Sequence, residues 1–154
     1  MTPTRRSNCP ISVSLDLLGD RWSLLVLRDL VFRGHRYFQD FAKSPEGIAT
    51  NTLSDRLARL EKAGVIKKER DSDDKRRNRY TLTEDGLAAI PLLIDLIVWG
   101  AKLDPDIDYP ARRLTWMRED REDVIRYYRE KLTGAAANEV VSTTHQFRPE
   151  MEST

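Results

Sequence analysis

The sequence contains a single cysteine, Cys9, in 154 residues. An intramolecular disulfide is excluded, and the chain suits a reducing compartment such as the cytoplasm. There are only two histidines, His35 and His145. They lie far apart and lack cysteine or carboxylate partners at metal-ligand spacing, so no metal is expected. No glycine-rich phosphate loop occurs, and no cofactor is expected. The chain therefore reads as a non-enzyme. Asp71, Asp73 and Asp74 lack the rest of an EF-hand loop and read as a solvated turn. The opening M-T-P-T-R-R-S-N-C-P lacks the apolar region of a signal peptide. The longest apolar stretch, Ala88 to Ala101, is interrupted by Pro91 and Asp95. It reads as too short to span a bilayer, and no membrane partner is expected. An excess of one charge is also missing, with net charge +1 and a pI near 7.9.

What is present is a soluble composition, 33% charged and 40% hydrophobic, in a chain long enough to bury a core. The charge is unevenly placed. Residues 1–50 carry net +2, residues 51–80 net +4 and residues 81–154 net −5. The positive charge peaks in a central stretch that reads as a helix, a glycine, a strand, a basic tip and a return strand.

In chain order, residues 1–8 read as a flexible arm. Cys9-Pro10 opens a helix with Ile11, Leu15, Leu17 and Leu18 on an apolar face, and Gly19-Asp20 breaks it. Asp20 is placed to cap a buried helix over residues 21–32, and Gly34 to stop it. Residues 36–43 form a short helix with Phe38 and Phe41 inward, followed by S-P-E-G turn chemistry. Leu53, Leu57 and Leu60 then recur at i, i+4, i+7 along a helix over residues 50–63, capped by Thr50 or Asn51 and ended by Gly64. V-I-K-K-E-R and R-Y-T-L-T are strands on either side of a polar tip, and Thr83 caps the next helix. Residues 86–101 are apolar almost all round and need cover, most economically from a second copy. A proline-punctuated linker over residues 104–110 leads to one amphipathic helix over residues 111–132. The domain reading is an arm over 1–8, a DNA-binding and dimerisation domain over 9–103, and a helical extension and tail over 104–154. The fold class is mainly α with a small β-hairpin: a winged helix-turn-helix with an extra C-terminal helix, dimeric.

A helix that enters the major groove needs polar or guanidinium groups near its start. Asn51, Thr52, Ser54, Asp55, Arg56 and Arg59 meet that need, with Ser54 at the margin and Arg56 toward the flank, where phosphate is the alternative partner. Lys75, Arg76, Arg77 and Arg79 supply a wing that reaches backbone or minor groove. A solvated polar face and hairpin is the bland alternative, and the joint pattern favours double-stranded DNA. Trp99, Tyr109, Trp116, Tyr127 and Tyr128 could line an apolar small-molecule effector pocket, but ordinary packing is the favoured reading.

The run C-P-I-S-V-S-L-D-L-L-G-D-R-W-S-L-L-V-L-R-D-L at residues 9–30 resembles the opening of the HxlR family of bacterial transcriptional regulators. Phe38, G-I-A-T-N-T-L-S-D-R-L-A-R-L-E-K-A-G-V-I at 47–66 and Y-T-L-T-E-D-G at 80–86 continue the resemblance. MarR-type regulators share the second half. The resemblance implies a homodimeric winged-helix protein that represses or activates transcription, paired through the first and last helices of the domain. It also implies that Cys9, just before a helix N-terminus, is a candidate redox-sensing residue; packing at the dimer interface is the competing role. Two features depart from the family pattern. Ala49 stands where a capping serine is usual, and the wing D-D-K-R-R-N-R is unusually basic. A winged-helix protein-interaction or ligand-binding module without DNA contact is the runner-up.

Overall fold

The computed structural model describes residues 6–134. Residues 1–5 of the expected arm, His145 and the part of the expected extension and tail beyond residue 134 lie outside the described residues. The contacts divide into two compact units, one ending at Ala88 and one beginning at Ala89.

The first unit opens with α1 (Pro10–Leu18), α2 (Ser23–Phe32), α3 (Phe38–Ala42) and α4 (Thr50–Lys62). A hairpin of β1 (Ile66–Arg70) and β2 (Asn78–Leu82) comes next, and α5 (Glu84–Leu87) closes the unit. This is the expected mainly helical winged-helix architecture. The strands are antiparallel, with Ile66 opposite Leu82 and Lys68 opposite Tyr80. Leu53, Leu57 and Leu60 on α4 are all buried, as are Leu27, Leu30 and Val31 on α2, Phe41 on α3, and Ile66 and Tyr80 on the hairpin. Their heptad-like spacing puts α4's apolar stripe on this core, and α4 contacts α2, α3 and β1. Asp20 caps α2 as expected: its Oδ1 accepts the Trp22 and Ser23 N–H groups at 2.8 and 2.9 Å.

α4 ends in a Schellman arrangement. The Val65 N–H donates to the Leu60 carbonyl at 3.0 Å and the Gly64 N–H to the Glu61 carbonyl at 2.9 Å. Gly64 has φ +75°, the left-handed conformation this turn requires. The start of α4 differs from expectation. The cap position is Ala49, at φ −66° and ψ 142°, and no side chain caps the helix. Thr50 and Asn51 already lie inside the first turn, so neither hydroxyl nor amide can fill the capping role.

A charge network ties the end of α2 to the turn between α3 and α4. Asp29 is buried and accepts from Arg28 Nε at 2.9 Å and from the Ser44 hydroxyl, and Arg33 lies 3.2 Å away. Arg28 also forks onto Glu46, with its Nη2 at 3.0 Å from Oε2. These donors hold the Glu46 carboxyl down at about 2. In the unfolded chain the same group takes up its proton near 4.5, so the stabilisation is complete above that pH and is lost as pH falls toward 2. Urea midpoints measured from pH 6 down to pH 2.5 should fall across this window. Glu46→Gln should flatten that fall, and an unaltered pH profile would contradict the assignment.

The second unit contains α6 (Ile90–Leu103), α7 (Ala111–Glu119) and α8 (Arg121–Thr133). All three pairs are in contact, and Ile90, Leu93, Ile94, Met117, Val124 and Tyr128 are buried. The apolar helix expected over 86–101 is interrupted at Ala88-Ala89, where α5 ends and α6 begins. Pro91 lies in the first turn of α6, where a missing N–H costs nothing. The run Glu84–Leu103 reaches 20 residues, long and apolar enough by length and composition to cross a membrane. The shorter stretch read from sequence underestimated this length. Asp95 in mid-helix pairs with Arg121 through two bonds of 2.8 Å, and Leu93 and Ile94 are buried, whereas Leu92, Trp99 and Leu103 are exposed.

The single helix expected over 111–132 is two. Asp120, at φ −136° and ψ 58°, ends α7, and its Oδ1 accepts the Asp123 N–H at 3.3 Å to start α8. A run of alternating charge masks this cap, because its apolar periodicity continues through the break. Trp116, Tyr127 and Tyr128 pack edge to face or tilted against one another with centroids 5.1 to 6.4 Å apart, and Trp116 Nε1 donates to buried Asp123 at 3.1 Å. The Tyr109 hydroxyl meets the Met117 sulfur at 3.9 Å, whereas Trp99 is exposed. Four of the five aromatics thus pack within the unit, in line with the favoured reading.

Candidate nucleic-acid interface

The core stripe of α4 dictates what its other side presents. With Leu53, Leu57 and Leu60 inward, Asn51, Ser54 and Asp55 are exposed and Thr52 is half-buried. The Asn51 Oδ1 accepts the Thr52 N–H at 2.9 Å, which holds the amide against the helix start. Ala49 has no capping oxygen, so the cap position itself supplies no acceptor, and of the first-turn N–H groups that of Thr52 is taken by Asn51. They lie at the positive end of the helix dipole.

The two arginines on α4 are engaged within the protein. The Arg56 side chain is 20% exposed, with its Nε 3.1 Å from Asp20 and its Nη1 2.8 Å from Asp55. Arg59 donates from Nη2 to the Asp16 carbonyl on α1 at 3.0 Å. Both therefore fasten α4 to the α1–α2 corner. Arg56's flank position was legible in the helical spacing; the Arg59 bond, across 43 residues, was not.

The wing residues separate into distinct environments. The Arg76 side chain is 92% exposed and, among the described residues, is held by Asp74, with Nε 3.1 Å from Oδ1. Lys75 is exposed, and its carbonyl accepts from Arg70 at 3.1 Å. Arg79 is exposed and lies opposite Glu69 in the ladder. Arg77 lies with its guanidinium carbon 3.9 Å from the Tyr37 ring centre. The expected solvated acidic turn is only partly so. Asp73 is exposed, but Asp71 is buried, accepting from the Tyr37 hydroxyl and from the Asp73 and Asp74 N–H groups at 2.9 Å each. Those donors hold the Asp71 carboxyl at about 2. Sequence reasoning missed Tyr37 and Asp71. A tyrosine before a short helix and an aspartate in an acidic tip carry no local sign of pairing over 34 residues.

Cys9 is exposed and occupies the cap position of α1 in extended conformation, with its N–H donating to Ser7 Oγ at 3.0 Å. No residue of α1 is buried, and Ile11, Val13 and Leu15 are exposed.

Residues 17–107 match the family model described as HxlR-like helix-turn-helix. The chain is 37% identical over 101 residues to an uncharacterized HTH-type transcriptional regulator of Mycobacterium tuberculosis (strain ATCC 25618 / H37Rv). That alignment covers 66% of this chain and 63% of the relative, so the match spans somewhat less than two thirds of the relative's length. A second relative, an uncharacterized HTH-type transcriptional regulator of Synechocystis sp. (strain PCC 6803), is 40% identical over 93 residues, covering 60% of this chain and 68% of that one. Among solved structures, PA1607, a candidate transcription factor, superposes with a TM-score of 0.63 at 35% identity, covering 69% of this chain and 74% of that chain. The redox regulator HypR in its oxidized form gives 0.55 at 25% identity, covering 61% and 96%. The elements from α2 to α6, with the polar face of α4 and the basic hairpin, thus fall within one matched span, and the chain belongs to the HxlR-like helix-turn-helix family.

Proposed function

We propose that this chain is a sequence-specific DNA-binding transcriptional regulator that acts as a homodimer on a palindromic operator. The observation that carries the reading is the outer face of α4. It presents Asn51, Ser54 and Asp55 to solvent at the uncapped start of a helix, in the same unit as an exposed basic wing. Base edges in the major groove are read by such short polar groups, and the first-turn N–H groups other than that of Thr52 suit a phosphate. Thr52 sits beside this face. Arg56 and Arg59 act first as anchors that set α4's angle, with their remaining N–H groups directed to the backbone. Lys75, Arg76, Arg77 and Arg79 contact backbone or minor groove.

Dimerisation is supported by apolar side chains left open on α1 and, separately, on α6, where Leu92, Trp99 and Leu103 are exposed. Two copies of α4 would then lie about 34–36 Å apart, one turn of duplex. The regulators that the chain resembles make the cytoplasm the natural place of action. Cys9 is exposed in the protomer, and HypR, a relative in fold and sequence, is a redox regulator. A redox or small-molecule signal read through Cys9 is therefore part of the proposal. A Cys9→Ser protein should lose inducer response in a reporter assay; full response would remove the sensing role.

The competing reading is a winged-helix module that binds protein or ligand in place of DNA. A gel-shift with the DNA upstream of the chain's own gene separates the two. A discrete shift that resists competitor DNA is expected. The absence of any shift would point to the alternative, and a shift that competitor DNA abolishes would overturn the sequence-specific reading.

A further inference from the structure

The wing tip is held by two residues outside the set assigned to DNA. Asp71 directly succeeds β1, and its side chain is 3% exposed. Its Oδ1 accepts the Asp73 and Asp74 N–H groups, and its Oδ2 accepts the hydroxyl of Tyr37. Arg77 Nη2 lies 3.7 Å from Oδ1, and the same guanidinium rests over the Tyr37 ring. Tyr37 also forms an antiparallel bridge with Arg79, and the Tyr80 N–H donates to the Arg36 carbonyl at 2.7 Å. The segment before α3 thus lies along β2 as a short third edge. Two faces of Arg77 are occupied, by a ring and by a carboxylate. The remainder lines an open cleft shared with Arg76 and Asn78.

A hairpin tip with long cationic side chains normally loses conformational freedom when it meets nucleic acid. Here that freedom is already restricted in the free protein. The ring plane limits the rotamers of Arg77, and the phenolic hydroxyl holds the carboxylate around which the tip is folded. We propose that Tyr37 and Asp71 are positioning residues that preset Arg77 and the wing tip for contact with a phosphodiester backbone. This role rests on the DNA-binding reading above.

Tyr37→Phe in the full chain tests it, since that variant keeps the ring and removes only the hydroxyl. Against a DNA fragment shifted by the parent protein, Tyr37→Phe should bind about fivefold to tenfold more weakly, as expected when a side chain has to be ordered on binding. Its salt dependence should flatten by about one, as for one lost phosphate contact. Adding Tyr37→Phe to Arg77→Ala should cost little beyond Arg77→Ala alone. A parental salt slope, or losses that multiply independently, would overturn the proposal. Relaxation of the Arg77 Nε–H signal in DNA-free protein gives an independent reading. It should report an ordered side chain in the parent and a mobile one in Tyr37→Leu, which removes the ring, and equal order in the two would refute the positioning role. Failure of the parent itself to shift DNA would overturn the DNA reading and the phosphodiester partner with it, leaving the Arg77 signal to judge the positioning alone.

Discussion

An Arg76→Ala, Arg77→Ala protein should bind every DNA sequence more weakly, and its log K against log salt should flatten by about 1.8. Each neutralised phosphate contributes about 0.9 to that slope on duplex DNA, so two lost contacts define the figure. Between about 50 and 200 mM salt, a change of that size alters the affinity ratio to the parent by about twelvefold. The effect should be uniform across sequences because backbone contacts position the protein without reading bases. Fold stability should change little through Arg76, whose single Asp74 pair is almost fully exposed. Arg77 is different, because it also packs on Tyr37 and neighbours Asp71. Arg76→Ala alone is therefore the cleaner probe, with an expected change in slope of about 0.9. Fluorescence anisotropy titrations at four or more salt concentrations measure it, and a parental slope in the double variant would rule out the wing contact.

The largest effect on folding is expected at Gly86. A β-carbon there would lie 2.1 Å from the Val65 carbonyl oxygen and 2.9 Å from Leu82 Cδ2. The oxygen belongs to the backbone between α4 and β1, where it already accepts the Thr83 N–H at 3.1 Å, so it cannot swing aside. Thr83 Oγ1 in turn accepts the Gly86 N–H at 3.2 Å, which holds the glycine from the other side. Gly86→Ala should therefore destabilise the chain by about 3 kcal/mol, the upper part of the range for overpacking. Gly100, in mid-α6, is the internal control, since a β-carbon there meets nothing within 4 Å. Gly100→Ala should be neutral or stabilising by up to about 1 kcal/mol, as for a glycine relieved in a helix interior. Urea unfolding of the two proteins makes the comparison. Equal midpoints would show that the close approach at Gly86 is relieved at no cost.

Much of the winged-helix unit was legible in the residues themselves. The Leu53, Leu57, Leu60 stripe, the glycine at 64, the Asp20 and Thr83 caps and the alternation of Tyr80 and Leu82 are each local signals. Each acts within one turn of helix or one strand step, so neighbouring residues carry enough information. The breaks at Ala88-Ala89 and Asp120 were less legible. Apolar or charged periodicity ran on through both, and the cap at Asp120 resembles any other acidic residue in an acidic helix.

The composition, the order of elements, the inward face of α4 and the basic character of the wing were determined by the sequence alone. Only tertiary structure decided which of those cations are free to meet a partner. Arg56 and Arg59 are bonded to the α1–α2 corner, Arg77 is held between Tyr37 and Asp71, and Arg76 projects into solvent. The physical reason is range. Helical and strand periodicity arise from steric and hydrogen-bond rules that operate over a few residues. A polar side chain finds its distant partner through space, across 34 residues from the Tyr37 hydroxyl to the Asp71 carboxylate and 43 from Arg59 to the Asp16 carbonyl, and no local pattern encodes that meeting.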